Sequence, residues 1–401
     1  MLDYEEALAR LLAGADPVRV TEEVATQSAA GRVLAQALHS TLDVPPLDNS
    51  SMDGYAVRCA DVPAAGTRLA VAQRIPAGSV GHGLVAGTAA RIFTGAPLPA
   101  GADAVVMQEL CAPDGDGVVI DHVLHPGEWI RRRGEDIAVG AEVLAAGTRL
   151  SAAHVGVAAS VGAARLTVYR RLRVALFSTG DELAMPGEPL KPGGIYNSNR
   201  YTLRALLEGL GCEVNDLGIV PDTREATRAA LREAAAGNDL ILTSGGVSVG
   251  EEDHVKPAVE AEGALDLWKI AIKPGKPLAF GSVRRFGGDG VAAFIGLPGN
   301  PVSSFVTFLM LVRPFILKAQ GASVLAPRAQ QLRADFDCKG DPRREFLRAR
   351  INVAGGLDLF ANQSSGVLTS CTWADGLIDN PPRHAIARGD SVRFLPFSEL
   401  L

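Results

Sequence analysis

Residues 173–320 alternate between short apolar runs and longer amphipathic runs, and this alternation limits the possible folds more than any other feature of the sequence. The apolar runs have the length and composition of buried strands and cover 174–177, 213–220, 239–242, 264–272 and 291–295. The amphipathic runs have helical spacing and cover 199–210, 222–236, 253–262 and 302–319. Strands that alternate with helices form parallel crossover units, so we expect a doubly wound α/β sheet in a domain spanning 171–322.

The rest of the chain predicts three further domains. Asp3 and Glu6 form a capping box that starts a helix over 3–13, and Ser151 caps a second helical stretch that ends near 162. We expect these two helices to pair in a helical linker domain built from the separated segments 1–42 and 137–170. Residues 43–136 form short alternating segments broken by glycine and proline turns, which is typical of a β insert domain made of hairpins. Residues 323–401 return to short strands and predict a small β-barrel or sandwich.

Charge and composition argue against several classes of protein. The 39 basic and 45 acidic residues leave a net charge of −6, which gives no reason to expect nucleic-acid binding. The chain has no unbroken apolar stretch near the roughly 18 residues of a membrane span, so we expect no membrane association. An acidic N-terminus without an apolar core predicts no targeting leader and a cytoplasmic protein. Five scattered cysteines without a Cys-x-x-Cys pair fit a reducing compartment and argue against a zinc ribbon.

Five loops rich in glycine or in charged residues follow the predicted strands, at 178–182, 221–223, 244–253, 273–276 and 297–301. Ligands of an open parallel sheet bind beyond the carboxyl ends of its strands, so we expect one crevice to collect all five loops. Their glycines let backbone N–H groups approach a phosphate, and their carboxylates are hard oxygen ligands suited to Mg²⁺. Any one loop is equally well explained by turn formation and helix capping. The coincidence of five favours a phosphorylated, metal-bridged, anionic ligand.

Lysine is rare in this chain, which has seven lysines and 32 arginines. Three of the seven, Lys269, Lys273 and Lys276, fall close together. A compact ammonium and a planar guanidinium are not interchangeable, so the cluster indicates a specific task such as binding an oxyanion. A solvated turn is the alternative explanation.

Two other patterns are less informative. Gly246-Val-Ser248-Val-Gly250 fits the nucleophile elbow of serine hydrolases, but the histidines that follow it are badly placed for a catalytic triad. In the insert, the loop around Asp53 combines turn residues with polar groups, so turn formation and ligand binding explain it equally well. The stretches around Thr94 and Asp136 have the same ambiguity.

Seven motifs, taken in order, closely resemble those of the molybdopterin molybdenumtransferase (MoeA) family of molybdenum cofactor biosynthesis. They are Asp-Asn-Ser-Ser-Met-Asp-Gly-Tyr-Ala at 48–56, Phe-Thr-Gly-Ala-Pro-Leu-Pro at 93–99, Gly-Glu-Asp-Ile at 134–137, Ser-Thr-Gly-Asp-Glu-Leu at 178–183, Thr-Ser-Gly-Gly-Val-Ser-Val-Gly at 243–250, Ile-Lys-Pro-Gly-Lys-Pro at 272–277 and Leu-Pro-Gly-Asn-Pro at 297–301. Each motif alone is weak, but seven in the family's order are specific. The resemblance extends over essentially the whole chain.

The resemblance implies an elongated homodimer with a helical linker domain, a β insert domain, a molybdopterin-binding α/β domain and a C-terminal β-barrel. It also implies a transferase whose substrates are adenylylated molybdopterin and molybdate. Such an enzyme requires Mg²⁺, places molybdenum on the dithiolene sulfurs and releases AMP. The molybdopterin adenylyltransferase and molybdoenzyme apoproteins would then be further partners.

The resemblance also implies roles for individual residues. The positions that match the family's catalytic residues are Asp53, Thr94, Asp136, Glu182, Asp222, Ser248, Asp253, Lys269, Lys273, Lys276, Pro298 and Pro301. Among them, the expected Mg²⁺ ligands are Glu182, Asp222 and Asp253, and the expected molybdate ligands are Lys273 and Lys276 with Arg348 and Ser365 of the barrel. The residues expected to bind the pterin substrate are Thr179, Gly180, Ser244, Gly245, Gly246, Gly299 and Asn300. In this family the insert of one subunit covers the crevice of the other, so Asp53, Thr94 and Asp136 would act across the dimer.

Two other functions remain open on the sequence alone. The α/β domain also resembles the adenylyltransferases that make the adenylylated pterin, although that function leaves the insert and the barrel unexplained. Eukaryotic relatives of the family cluster membrane receptors, so a non-catalytic scaffold is the second alternative. A scaffold would have no need of the acidic residues.

Overall fold

The first segment of the chain packs onto a domain that is distant in sequence. A computed structural model describes residues 1–246, 254–286 and 290–401. Helix α1 (Tyr4–Ala13) begins at Asp3, whose carboxylate accepts a hydrogen bond from the Glu6 amide at 2.6 Å. Its buried residues, Ala7 and Leu11, belong to the core of the α/β domain. Strand β1 (Thr21–Ala25), a short 3₁₀ segment (Thr26–Ser28) and strand β2 (Leu38–His39) follow.

The insert is a six-stranded sheet on a two-stranded stalk. Its strands are β3 (Asn49–Ser50), β4 (Gly54–Val57), β5 (Thr67–Ile75), β6 (Thr88–Ile92), β7 (Ala104–Met107), β8 (Cys111–Asp114), β9 (Gly117–Ile120) and β10 (Ile130–Arg131), with 3₁₀ segments at Cys59–Asp61 and Gln108–Leu110. The sheet order is β7-β4-β6-β5-β9-β8, and β3 pairs separately with β10. A bridge between Val44 and Ile137 holds the entering and leaving segments side by side.

The second half of the linker returns as β11 (Glu142–Leu144), α2 (Ala152–Ser160) and β12 (Arg165–Tyr169). The two halves are joined by strands, since β11 pairs with β2 and β12 pairs with β1. The expected pairing of the two helices is wrong. Helix α2 packs Ala158 and Val155 into the core of the linker itself, whereas α1 presents its apolar face to the core of the α/β domain, so the two helices belong to different cores.

The α/β domain contains the predicted alternation. Its strands are β13 (Arg173–Thr179), β14 (Leu183–Ala184), β15 (Ile195–Tyr196), β16 (Glu213–Val220), β17 (Leu240–Ser244), β18 (Gly263–Lys269), β19 (Ile272–Lys273), β20 (Pro277–Arg284) and β21 (Val291–Leu297). Its helices are α3 (Ser198–Gly209), α4 (Arg224–Gly237), α5 (Val255–Glu262) and α6 (Pro301–Ala319), the last with a π-helical turn at Phe308–Val312.

The central sheet has the order β16-β13-β17-β21-β20-β18. Strands β16, β13, β17 and β21 are parallel, whereas β20 and β18 continue the sheet in antiparallel pairing. Helices α3 and α6 share one core with one face of the sheet, and α4 and α5 share another core with the opposite face. The doubly wound α/β prediction is therefore confirmed, with an antiparallel extension at one end of the sheet.

Helix α6 forms the apolar centre of the domain. Among the described residues it is the one helix long and apolar enough to cross a membrane, but 94% of its most apolar window is buried inside the protein. It therefore packs as a core helix of the α/β domain.

The C-terminal domain is a small barrel. It contains β22 (Gln330–Arg333), β23 (Arg344–Ile351), β24 (Leu357–Leu359), α7 (Thr369–Trp373), β25 (Gly376–Asn380), β26 (Ser391–Pro396) and α8 (Phe397–Leu400). Strand β24 pairs with β23, and a bridge from Ala334 to Leu357 closes the sheet. The short strand β19 of the α/β domain pairs with β23, so the two domains share a sheet beside the turn that carries Lys273 and Lys276.

Candidate functional site

A cleft of about 710 Å³ opens at the carboxyl edge of the central sheet. It brings together eleven of the residues expected from the sequence, namely Thr179, Glu182, Ser244, Gly245, Gly246, Lys273, Lys276, Pro298, Gly299, Asn300 and Ser365. The barrel contributes one wall with Arg343, Gln363, Ser364 and Ser365. Four of the five predicted loops therefore meet at one place.

The strand directions explain why these loops meet. Strands β13, β17 and β21 run parallel and adjacent, so the turns after them reach the same edge. Strand β18 is antiparallel to β20, which is antiparallel to β21, so β18 runs in the same direction as β21. The loop that follows β18 and carries Lys273 and Lys276 consequently reaches that edge as well.

Backbone groups dominate the floor of the cleft. Gly246 has φ +65°, and a Cβ at this position would lie 2.4 Å from Cγ2 of Val255, so only glycine fits. On the adjacent turn, Asn300 is the N-cap of α6, and the carbonyl of Gly299 accepts a hydrogen bond from Nδ2 of Asn199 at 2.7 Å. Pro301 has no N–H, and the Val302 amide already donates to the Ser365 carbonyl at 3.0 Å. Helix α6 therefore offers a phosphate or another oxyanion its positive dipole end rather than a row of free N–H groups.

Lys273 is held by two carboxylates of the barrel. Its Nζ lies 3.0 Å from Oε1 of Glu345 and 3.1 Å from Oδ2 of Asp341. Burial alone would lower the pKa of Lys273, but hydrogen bonds from its ammonium to Glu345 and Asp341 outweigh burial and raise that pKa. Lys273 is therefore a fixed, fully charged ammonium at the cleft wall.

Lys276 has a different environment. Its side chain is exposed, and within the described ranges it has no ion pair with a carboxylate. Gly275, between the two lysines, has φ +99°, and a Cβ there would lie 2.5 Å from Oγ1 of Thr307. The turn that presents the lysines therefore lies directly against helix α6 and requires glycine.

The structure adds residues that the sequence reasoning missed. Arg343 lines the cleft, and its guanidinium donates two hydrogen bonds to Asp341. Asn197 also lines the cleft, where its buried Nδ2 has no partner among the described residues and is available to a ligand carbonyl or phosphate. The sequence offered one signal for Asn197, its position two residues before the predicted helix at 199–210. Arg343 could be found only from the tertiary contact of two domains.

Arg348 does not line the cleft. It is 1% exposed and donates hydrogen bonds to Ser370 Oγ and to the carbonyls of Phe346 and Ser364. Burial lowers its pKa to about 10. The expected direct contact of Arg348 with a ligand is therefore not supported, because this side chain points into the barrel and supports the wall from behind.

Other predicted residues lie outside the cleft lining. Gly180 and Pro301 flank lining residues, Lys269 is exposed at the end of β18, and Asp222 follows β16. Ser248 and Asp253 lie outside the described residues.

The insert residues form a separate group. Oδ1 of Asp53 accepts hydrogen bonds from the amide and the hydroxyl of Thr94, both at 2.8 Å. These bonds, the backbone one first, lower the pKa of Asp53 and keep it ionised. Asp136 is exposed near the stalk. None of the three lines the cleft of the same chain.

Three family profiles together cover most of the chain. Residues 2–162 match the MoeA N-terminal region (domain I and II), residues 175–318 match a probable molybdopterin binding domain, and residues 331–397 match the MoeA C-terminal region (domain IV). These matches place the chain in the class of proteins that contain a probable molybdopterin binding domain.

The relatives identify the family within that class. The chain is 45% identical to the molybdopterin molybdenumtransferase of Haemophilus influenzae over 100% of both chains. It is 38% identical to the protein of the same name from Nostoc, over 94% of this chain and 88% of the relative. A crystal structure of a molybdopterin biosynthesis MoeA protein from Pyrococcus horikoshii superposes with a TM-score of 0.84 at 29% identity, covering 99% of this chain and 100% of that one. The chain belongs to the MoeA family of molybdopterin molybdenumtransferases, which are transferases.

Proposed function

We propose that the protein inserts molybdenum into adenylylated molybdopterin, using molybdate and Mg²⁺ and releasing AMP. The names of its relatives support the molybdenum transfer. The observation that carries the proposal is the cleft, in which glycine turns, the start of helix α6 and the side chains of Lys273, Lys276 and Arg343 face one space. That space combines a backbone floor for phosphates with cations for a second oxyanion.

The chain's own groups have distinct tasks in this proposal. The backbone N–H groups of Gly246 and of the turn at 299–300 bind the phosphates of the substrate, with Thr179 and Ser244 beside them, since the Gly245 amide already donates to the Leu297 carbonyl. Lys276, Lys273 and Arg343 donate charge-assisted hydrogen bonds to molybdate, which is a tetrahedral dianion. Binding both substrates in one cleft brings the molybdenum close to the dithiolene and holds it there.

The acidic residues fit a Mg²⁺ site only if the substrate supplies some of the ligands. Among the described residues no group of three or more His, Cys, Asp or Glu side chains is arranged to hold a metal ion. Mg²⁺ usually needs one or two carboxylates and takes its remaining ligands from water and substrate phosphates. The exposed carboxylate of Glu182 on the cleft wall meets this requirement, and Asp222 and Asp253 complete the proposed set. When bound, the ion would neutralise charge on the pyrophosphate group.

The insert is proposed to act across a homodimer. Ionised Asp53 and its hydrogen-bond donor Thr94 form a pair that is absent from the cleft lining of its own chain. In a twofold dimer, the insert of one subunit would cover the cleft of the other. Asp53, Thr94 and Asp136 would then lie close to the reacting substrates.

The test is to mix the protein with adenylylated molybdopterin and Mg²⁺ and to measure AMP with and without molybdate. We expect AMP release that depends on molybdate. Release that is indifferent to molybdate would contradict the proposal. Formation of adenylylated molybdopterin from ATP and molybdopterin would instead assign the adenylyltransferase function.

A further inference from the structure

Glu345 is a buried carboxylate whose contact with Lys273 is set by the pairing of two domains. Its side chain is 2% exposed, and its Oε1 accepts a hydrogen bond from Lys273 Nζ at 3.0 Å. The pairing of β19 with β23 places Lys273 directly opposite Glu345 in the register. The barrel therefore contacts the ammonium of the α/β domain through a residue that solvent barely reaches.

The other oxygen of Glu345 is already occupied. Its Oε2 accepts from the Asp341 amide at 3.3 Å and from Nδ2 of Asn380 at 3.4 Å. This arrangement leaves Oε1 directed at Lys273, which is the one cation within ion-pair distance of Glu345 in the described part of the chain. A buried carboxylate with a single cationic partner fixes that partner firmly, because separating the two would leave a buried charge uncompensated.

Asp341 extends this arrangement to a second cation. Its Oδ2 lies 3.1 Å from Lys273 Nζ, and its Oδ1 lies 3.0 Å from Arg343 Nε. Two cations that face the cleft are thus held by two carboxylates, and the four formal charges cancel. Because the cluster has no net charge, it would bind an anion through the fixed positions of its N–H donors and not through an excess of positive charge.

We propose that Glu345 is a positioning residue that fixes the Lys273 ammonium for oxyanion binding, so that the barrel sets the geometry of the molybdate site. This inference rests on the proposed function. It also predicts that loss of the Glu345 charge changes the molybdate affinity in the direction opposite to the one that simple electrostatics predicts. Removing a negative charge near an anion site should tighten anion binding, whereas removing the group that positions a donor should weaken it.

The test uses the full-length protein with Glu345→Gln, and molybdate is the probe. We expect the Kd for molybdate, measured by equilibrium dialysis, to rise at least about tenfold. In the AMP-release assay the KM for molybdate should rise with it, while kcat should stay within about threefold and the KM for the pterin substrate should not change.

Glu262→Gln is the matched control. Glu262 is also buried and lies 2.6 Å from Arg228 and 2.8 Å from Arg232, but it is absent from the cleft lining. This variant should lose stability and keep the wild-type Kd for molybdate. Adding Glu345→Gln to a Lys273→Ala protein should weaken molybdate binding no further, because the positioned group is already gone.

Three results would overturn the inference: an unchanged Kd in Glu345→Gln, a tighter Kd, or a full additional loss in the Lys273→Ala background. If Glu345→Gln does not fold, Glu345→Asp retains the charge but withdraws it from Lys273, and it must also weaken molybdate binding. A wild-type protein that binds molybdate without releasing AMP would refute the proposed function, while the dialysis comparison would still decide the role of Glu345.

Discussion

At the scale of single residues, Lys276 carries a positive charge that no carboxylate neutralises within the described ranges. Replacing it with alanine removes a charge-assisted donor, so we expect the KM for molybdate to rise about tenfold, equivalent to roughly 1.4 kcal/mol. The melting temperature should not change, because the side chain is exposed. Steady-state kinetics of AMP release with varied molybdate would measure the effect.

Lys256→Ala provides the comparison for Lys276→Ala. Lys256 is a half-exposed lysine on α5 that pairs with Glu260 at 4.0 Å, and its removal should leave the KM for molybdate unchanged. Equal effects of the two substitutions would show that Lys276 contributes only to the general charge of the surface.

Gly275 is expected to be intolerant of a side chain. A Cβ there would lie 2.5 Å from Thr307 Oγ1 on a backbone with φ +99°. We expect Gly275→Ala to lower the free energy of unfolding by about 1–3 kcal/mol and to raise the KM for molybdate, since the lysine turn must move. Urea unfolding and AMP-release kinetics would measure the two effects.

Gly156→Ala is the control for Gly275→Ala. Gly156 lies in helix α2 without a positive φ, and a Cβ at this position would meet no atom of a neighbouring element within 4 Å. Alanine should therefore stabilise the protein by about 0.5–1 kcal/mol. A Gly275→Ala protein as stable as wild type would show that the turn can move away from α6 without cost.

At the scale of elements, the sequence predicted the helices better than the strands. Asp3, Ser151 and Thr223 each cap a helix with a side-chain oxygen, and such local signals can be recognised without tertiary information. Strand β20 was not predicted. It begins at Pro277 and contains Gly281, which sequence rules treat as interruptions of a strand. In the fold, a Cβ on Gly281 would lie 2.1 Å from the Ala264 carbonyl, so the glycine permits the close pairing with β18.

The sequence predicted the site residues that follow strand ends. It missed or misplaced the residues whose positions depend on contacts between domains. Glu182, Ser244 and Asn300 follow strands that the sequence identified, so their common edge followed from the α/β alternation. Arg343 and Arg348 are both barrel arginines close to the lysine turn in space. Only the pairing of β19 with β23 determines that Arg343 faces the cleft and that Arg348 is buried.

At the scale of the whole molecule, Asp239 joins the linker to the central sheet. Its carboxylate accepts hydrogen bonds from Arg170 at 2.7 and 2.8 Å and from the Arg173 amide at 2.9 Å. Burial tends to raise the pKa of Asp239, but these donors outweigh burial and lower it. A lowered folded-state pKa means that the ionised group stabilises the fold above its unfolded pKa near 3.9, and that this contribution is lost as pH falls through the folded pKa.

Asp239→Asn should therefore lower the free energy of unfolding by about 1–3 kcal/mol at pH 7. The difference from wild type should shrink as the pH is lowered below about 4. Urea unfolding at several pH values would measure it. Asp114→Asn, which breaks an exposed pair with Arg68, should change stability by less than about 0.5 kcal/mol throughout. A deficit for Asp239→Asn that is the same at every pH would contradict this account.

The proposed dimer predicts complementation between two inactive proteins. Asp53→Asn and Lys273→Ala would each inactivate the protein alone, but a mixed dimer would contain one site with both residues intact. After dissociation and random reassociation of equal amounts, about half the dimers are mixed and have one working site of two, so about a quarter of wild-type AMP release should return. No recovery, with mixed dimers present by native mass spectrometry, would place Asp53 and Lys273 in the same subunit's site.

The stalk of the insert has a consequence for how this architecture can change. The chain leaves the linker and re-enters it at neighbouring positions, where Val44 and Ile137 form a bridge. The whole insert is thus a cassette with its two ends side by side, and a short turn could replace it without altering the order of the remaining strands. The insert can accordingly be reshaped or lost as one unit while the linker, the α/β domain and the barrel keep their strand order.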